Sequence, residues 1–214
     1  FKRGDLMDKA EFTNFYWKYY LHLENEFINT TDFVMLDENN FKTFSIEYQK
    51  LLLAIGSECE IIFKELCGFD SSSNKSITDF KAVIKSSELM CLDNGVRVMN
   101  SLTLTSLKPF GDGWPEDTPD WWKIYNRVKH GRSSNYKEAN LENVLYALAS
   151  LYLLEEYLHK KVILEGEVDF ISPESNLFTL SWERKHSSMQ KVTFEKVDSN
   201  YVAPLIDFKE QEEI

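Results

Sequence analysis

The chain has 214 residues, 43% hydrophobic and 14% aromatic, enough for a full core in one domain rather than two. A net charge of −11 excludes a general nucleic-acid coat protein, which must neutralise many phosphates, but leaves room for one local anion site. Eight Gly and five Pro exclude a loop-dominated chain, and no apolar run approaches the roughly 20 residues that span a bilayer. Cys59, Cys67 and Cys91 are odd in number and lack metal-type spacing, so free thiols in a cytoplasmic chain with no metal and no cofactor are expected.

Asp8 with Glu11 three residues on forms an N-terminal box. Behind it Phe12, Phe15, Tyr16, Tyr19, Leu23 and Phe27 recur every three or four residues, which predicts a helix over 9–28 with an aromatic stripe. His22 and Glu26 read as an ordinary surface pair on it. A second run from Phe44 through Tyr48, Leu51, Leu52, Ile55, Cys59, Ile62, Phe63 and Leu66, closed by Gly68, predicts the spine of a bundle. Glu58 and Lys64 read as its solvated or ion-paired flank. After a polar loop, Ile77, Phe80, Val83, Ile84 and Leu89 predict a shorter helix, and the alternation of Val96, Val98, Leu102 and Leu104 predicts a small hairpin or two extended segments. The Gly- and Pro-rich stretch from Lys108 to Thr118 is a loop, anchored by Trp114.

Next comes WWKIYNRVKHGR, Trp121 to Arg132. At about 100° per residue, Trp121, Ile124, Tyr125 and Val128 share one helical arc, and Lys123, Asn126, Arg127 and His130 share the opposite one. Thr118 suits the N-cap, Pro119 the first helical position and Gly131 a left-handed stop, which places a helix over 119–130. Asn135 and Glu138 suggest another N-terminal box, followed by Leu141, Val144, Leu145, Leu148, Leu151, Tyr152, Leu154 and Leu158 in a long helix to about 164. That helix is expected to pack on the spine, with Glu155 and His159 as a surface pair. Finally Phe178, Leu180 and Trp182, then Val192 and Phe194, alternate across a loop holding His186, which predicts a β-hairpin. The expected architecture is mainly α: a bundle of four to five helices over 1–166, with a small C-terminal β-hairpin appendage and acidic tail over 167–214 packed on the same domain.

The chemistry to weigh sits on the cationic arc. Cleaving RNA without a metal needs a base for the 2′-hydroxyl, an acid for the leaving oxygen and cations facing the developing charge. Lys123, Asn126, Arg127 and His130 offer these groups on one stripe and are the candidate catalytic residues, with Lys129, Arg132 and Lys137 as candidate nucleic-acid contacts. From Lys123 to Lys137 there is no Asp or Glu, whereas surface helices of acidic proteins usually mix both signs. The alternative is a solvated face whose basic end complements the helix dipole. No Gly-rich phosphate loop, GxSxG, HExxH or CxxC motif accompanies the stripe.

A helical bundle with a polar, histidine-ended motif before its last long helix resembles the HEPN superfamily, over roughly residues 8 to 164. The family motif is an arginine, four to six residues and a histidine, with a polar residue often directly after the arginine. In YNRVKHG, Asn126 and His130 match the polar residue and the histidine. Tyr125 fills the slot before Asn126, and Lys123 is the cation at the outer position. A lysine does not replace the bidentate phosphate grip of a guanidinium. The resemblance implies a four- or five-helix bundle, often dimeric with two motifs meeting in a cleft, and a metal-independent ribonuclease of a prokaryotic defence or stress system. It implies His130 as acid/base, Asn126 orienting, and Lys123 or Arg127 holding phosphate. The expected partners are a second copy through the motif face, RNA or a nucleotide, or another protein, with no membrane. The competing reading is a non-catalytic interaction and dimerisation module.

Overall fold

The computed structural model describes residues 7–86, 95–99, 101, 103–163 and 171–180. They form a mainly helical fold with one small antiparallel sheet. Helix α1 (Lys9–Glu11) starts at Asp8, whose side chain accepts from the Glu11 amide at 2.8 Å. It runs without a break through a π-helical segment, Phe12–Trp17, into α2 (Lys18–Thr30). The π turn changes the predicted stripe. Phe12, Leu23 and Phe27 point inward as predicted, but with the wider winding between them Trp17 and Tyr20 take the inward places expected of Phe15 and Tyr19, which are 71% and 40% exposed. His22 and Glu26 are the surface pair expected, 3.6 Å apart.

Helix α3 (Ile46–Cys67) is capped by Ser45, which accepts from the Tyr48 amide, and ends at Gly68, whose φ of 70° is the left-handed stop that glycine adopts without strain. Helix α4 (Ile77–Lys85) opens with a capping box between Ser76 and Asp79. Helix α5 (Asp120–His130) carries the motif, the short α6 (Arg132–Asn135) follows it, and α7 (Leu141–Val162) closes the bundle. The expected box at Asn135 and Glu138 does not form. The Asn135 side chain instead donates back to the carbonyls of Arg127 and Gly131, and Asn140 caps α7 by accepting from the Asn143 amide. Gly131 is not left-handed, with φ −144° and ψ 58°, because the chain passes straight into α6. A Cβ there would lie 2.9 Å from the Asn135 side-chain nitrogen, which would have to give up its present place.

Helices α3 and α7 pack side by side as the sequence predicts, and they run parallel with their ends level. At the start, the amides of Leu141 and Glu142 donate to the carbonyls of Thr43 and Phe41, at 2.9 and 3.2 Å. At the far end, the Lys161 ammonium donates to the Glu65 and Leu66 carbonyls, placing a cation at the negative ends of both helices. Two residues expected on surfaces lie inside this packing: Glu155 is fully buried and Glu58 nearly so. His159 is buried as well, its ring 5.2 Å from that of Phe12. The expected flank and surface pair therefore give way to the bundle interior, because α7 is covered on all sides along this stretch.

The sheet has the order β2-β1-β3: β1 (Val96–Val98) pairs antiparallel with β2 (Ser106–Leu107) and with β3 (Phe178–Leu180). The expected mid-chain hairpin is present, its return strand at 106–107. Phe178 and Leu180 add to that hairpin, facing Val98 and Val96. Trp182, His186, Val192, Phe194 and the acidic tail lie outside the described residues. The segment leading into β3 is held by Glu24 of α2, a buried carboxyl that accepts from the Tyr20 and Ser175 hydroxyls and from the amides of Asn176 and Leu177 at 2.9 and 3.2 Å. The Trp17 indole N–H adds a bond to the Pro173 carbonyl at 2.8 Å.

Candidate functional site

The motif helix α5 sits against both long helices with its aromatic arc inward. Trp121, Tyr125 and Val128 are buried as the spacing predicts, and so is Trp122, whose ring meets the edge of Phe63. The Trp121 indole N–H donates to the Pro109 carbonyl at 2.9 Å, fixing the 108–119 loop to the helix. Trp114 anchors that loop, buried against Phe110 and Phe63. Tyr125 lies flat against α3 at Gly56, where a Cβ would fall 2.4 Å from its ring, so only glycine permits this approach of the two helices. Burial pushes the Tyr125 hydroxyl up to about 12 despite an opposing hydrogen bond from Lys129.

Lys123, Arg127 and His130 are exposed on the opposite arc, as expected, with Asn126 half-buried between the two. Lys123 and Arg127 open onto a shallow groove of about 320 Å³, which Ile124 also lines. Lys42, from the connection before α3, and Glu142 and Asn143, from the first turn of α7, complete it. It continues past Asp120 and Lys123 into a larger cleft of about 610 Å³ beneath the 108–119 loop, bordered by Phe110, Trp121 and Tyr146. His130, in the last turn of α5, is not among the residues that line either space. Asn126 donates to the carbonyl of Trp122, one turn back along its own helix, at 2.9 Å. Arg132 and Lys137 are exposed beyond the end of α5, Lys137 with its ammonium 5.8 Å from the Tyr136 ring.

The acid-free stretch of sequence does not make an acid-free surface. Lys123 pairs with Asp120 at 2.8 Å, Arg127 with Glu138 at 2.7 Å, and Lys42 with Glu142. Lys129 reaches Glu60 of α3 and the Tyr125 hydroxyl, each at 3.0 Å. Its partial burial works against the ammonium, but these two hydrogen bonds prevail and hold the group above its ordinary value. Chemically, the groove offers two ammonium groups and one guanidinium set among carboxylates, while the Asn143 amide already donates to the Glu138 carbonyl and the Asn140 side chain, at 2.9 and 3.0 Å. Such a mosaic can exchange its internal ion pairs for contacts with a ligand phosphate or carboxylate. Reasoning from sequence missed Lys42, Glu142 and Asn143. Lys42 carries no local signal, because it meets α5 only through the pairing of residues 41–43 with the start of α7.

Among the described residues no group of three or more His, Cys, Asp or Glu side chains is placed to hold a metal ion, and no helix is long and apolar enough to cross a membrane. No family model, curated protein or solved structure matches this chain.

Proposed function

We propose that this chain is a HEPN-like protein directed at RNA or a nucleotide, of the kind prokaryotic defence and stress systems use, and that its α5–α7 groove holds phosphate. What supports the reading most is the convergence on one groove of three cations from two separate parts of the chain, Lys42 from before α3 and Lys123 and Arg127 from α5. Their present partners are no obstacle. Exposed ion pairs contribute only about 0–1 kcal/mol each, so a phosphate can displace Asp120, Glu138 or Glu142 at small cost. Arg127 is the group suited to a bidentate phosphate grip, with Lys123 and Lys42 as point charges beside it. Lys129, Arg132 and Lys137 would flank a longer strand. His130 stands two turns beyond Lys123, about 10 Å along the helix, so as an acid/base it would serve a strand lying along α5 or the groove of a second copy.

One observation favours a second reading, the non-catalytic interaction and dimerisation module. Each groove cation already has a carboxylate partner, which gives the face the mixed polarity of a protein-docking surface rather than a cationic funnel. Titrating labelled single-stranded RNA and mononucleotides at low and moderate salt, with Lys123→Ala/Arg127→Ala beside the parent, separates the two. Incubation of an RNA pool without metal, beside His130→Ala, tests cleavage. Salt-sensitive binding that weakens several-fold in the double variant supports the first reading, and cleavage lost in His130→Ala makes it enzymatic. RNA and nucleotides ignored by the parent, together with a dimer that dissociates in the double variant, would replace it with the second.

A further inference from the structure

A separate polar cluster lies inside the bundle, away from the groove. Glu155 of α7 is fully buried, and among the described residues neither of its carboxyl oxygens has a hydrogen-bond partner. Glu58 comes from the facing helix α3 and is itself 7% exposed. The π segment closes over this place from the third side. Its first residue, Phe12, rests on the His159 ring, one turn beyond Glu155, and Tyr16 lies within the field of both carboxyls. The titratable groups that face Glu155 are Tyr16 from the π segment, Glu58 and Cys59 from α3, and Glu156 and His159 from α7 itself; Glu11 and Glu65 bear on Tyr16 rather than on Glu155. The charges that bear on Glu155 are those of Glu58 and Glu156, both acidic.

We propose that Glu155 is held as a neutral acid and forms with Glu58 a pH-operated latch, which keeps the π segment seated on α3 and α7 while protonated and releases it on proton loss. An ionised carboxylate buried without donors is far costlier than the neutral acid, so the fold and the proton are bound together. Burial, then Glu58, then Glu156 push Glu155 well above the ordinary carboxyl range, and burial pushes Glu58 up to about 7. Both folded-state values lie above the unfolded ones. The stability they lend is therefore complete below the unfolded value of about 4.5 and lost as pH rises, through about 7 for Glu58 and higher for Glu155. The π segment is the element that yields, because α3 and α7 adhere along their whole length while a π turn is the less favourable winding. Its release would uncover Phe12 and Trp17, a large apolar surface now hidden.

Urea unfolding of the full chain between about pH 5.5 and 8.5, with Glu155→Gln and Glu58→Gln alongside, measures the linkage. The folding constant of the parent should fall by up to about tenfold per pH unit for each proton released. Glu155→Gln should flatten that slope and overtake the parent at the alkaline end, and Glu58→Gln should flatten it only below about pH 7. Hydrogen exchange should show the amides of 12–17 losing protection with rising pH beyond the intrinsic rate, in the parent and not in Glu155→Gln. Infrared spectra of the parent should carry a protonated-carboxyl C=O band at neutral pH, a measurement that needs no variant to fold. An unchanged slope in Glu155→Gln, or no such band in the parent, would overturn the latch.

Discussion

Replacing Glu24 by Ala tests how the segment before β3 is fastened to the bundle. This one buried carboxyl receives the Tyr20 hydroxyl at 2.6 Å, the Ser175 hydroxyl, and the amides of Asn176 and Leu177. Each bond contributes about 1 kcal/mol net, and removing a shared acceptor leaves its buried donors unsatisfied. The Ser175 hydroxyl and the Asn176 amide can recover part of the loss by turning to each other or to water, so the bonds do not simply add. A loss of about 3 kcal/mol follows, which for a chain of this size lowers Tm by roughly 6–12 °C. Circular dichroism in a urea titration reads the first number, and hydrogen exchange localises it: the amides of 176–178 should lose protection before those of α3 and α7. Glu24→Gln, which keeps one acceptor oxygen, should cost about half as much. A change below about 0.5 kcal/mol, or amides at 176–178 that stay as protected as the parent's, would refute the reasoning.

Gly56→Ala should destabilise by about 2–3 kcal/mol, because its methyl would sit within 2.4 Å of the Tyr125 ring and push α5 off α3; thermal melts check this, and an unchanged Tm would mean the ring turns aside. Burial pushes the Cys59 thiol well above its ordinary value and the Cys67 thiol up to about 11, so neither should react with a thiol reagent at mildly alkaline pH until the chain unfolds, as read by peptide mapping.

The periodic parts of the fold are legible in the sequence. Helices α3, α5 and α7 follow from apolar residues at helical spacing, and the inward arc of α5 is placed correctly down to Trp121, Tyr125 and Val128. Reading fails where a residue's surroundings break the rule its type suggests. The stripe of the first helical rod assumes 3.6 residues per turn, and the π turn at Phe12–Trp17 does not keep it. Glu155 looks like a surface acid by type, yet Leu151, Tyr152, Leu154 and Leu158 surround it in sequence, a signal that the helix is apolar on every side there. The candidate site is half legible. Lys123 and Arg127 do share a groove, but while Asp120, the partner of Lys123, is next to the motif in sequence, Glu138 and Glu60, the partners of Arg127 and Lys129, lie outside it and are brought to it only by folding.

The two long helices begin together and finish together, and this sets a condition on how the chain reaches its native state. A hairpin of neighbouring helices can zip from its turn, but parallel partners cannot, so residues 68–140 must carry the backbone about 33 Å back to the starting level before α7 can dock. The most extensive interface thus joins residues nearly a hundred positions apart, and closing so long a loop comes before any reward for it. For all its helix, this protein should fold at the pace of a high-contact-order domain, milliseconds or slower, rather than that of an up-and-down bundle.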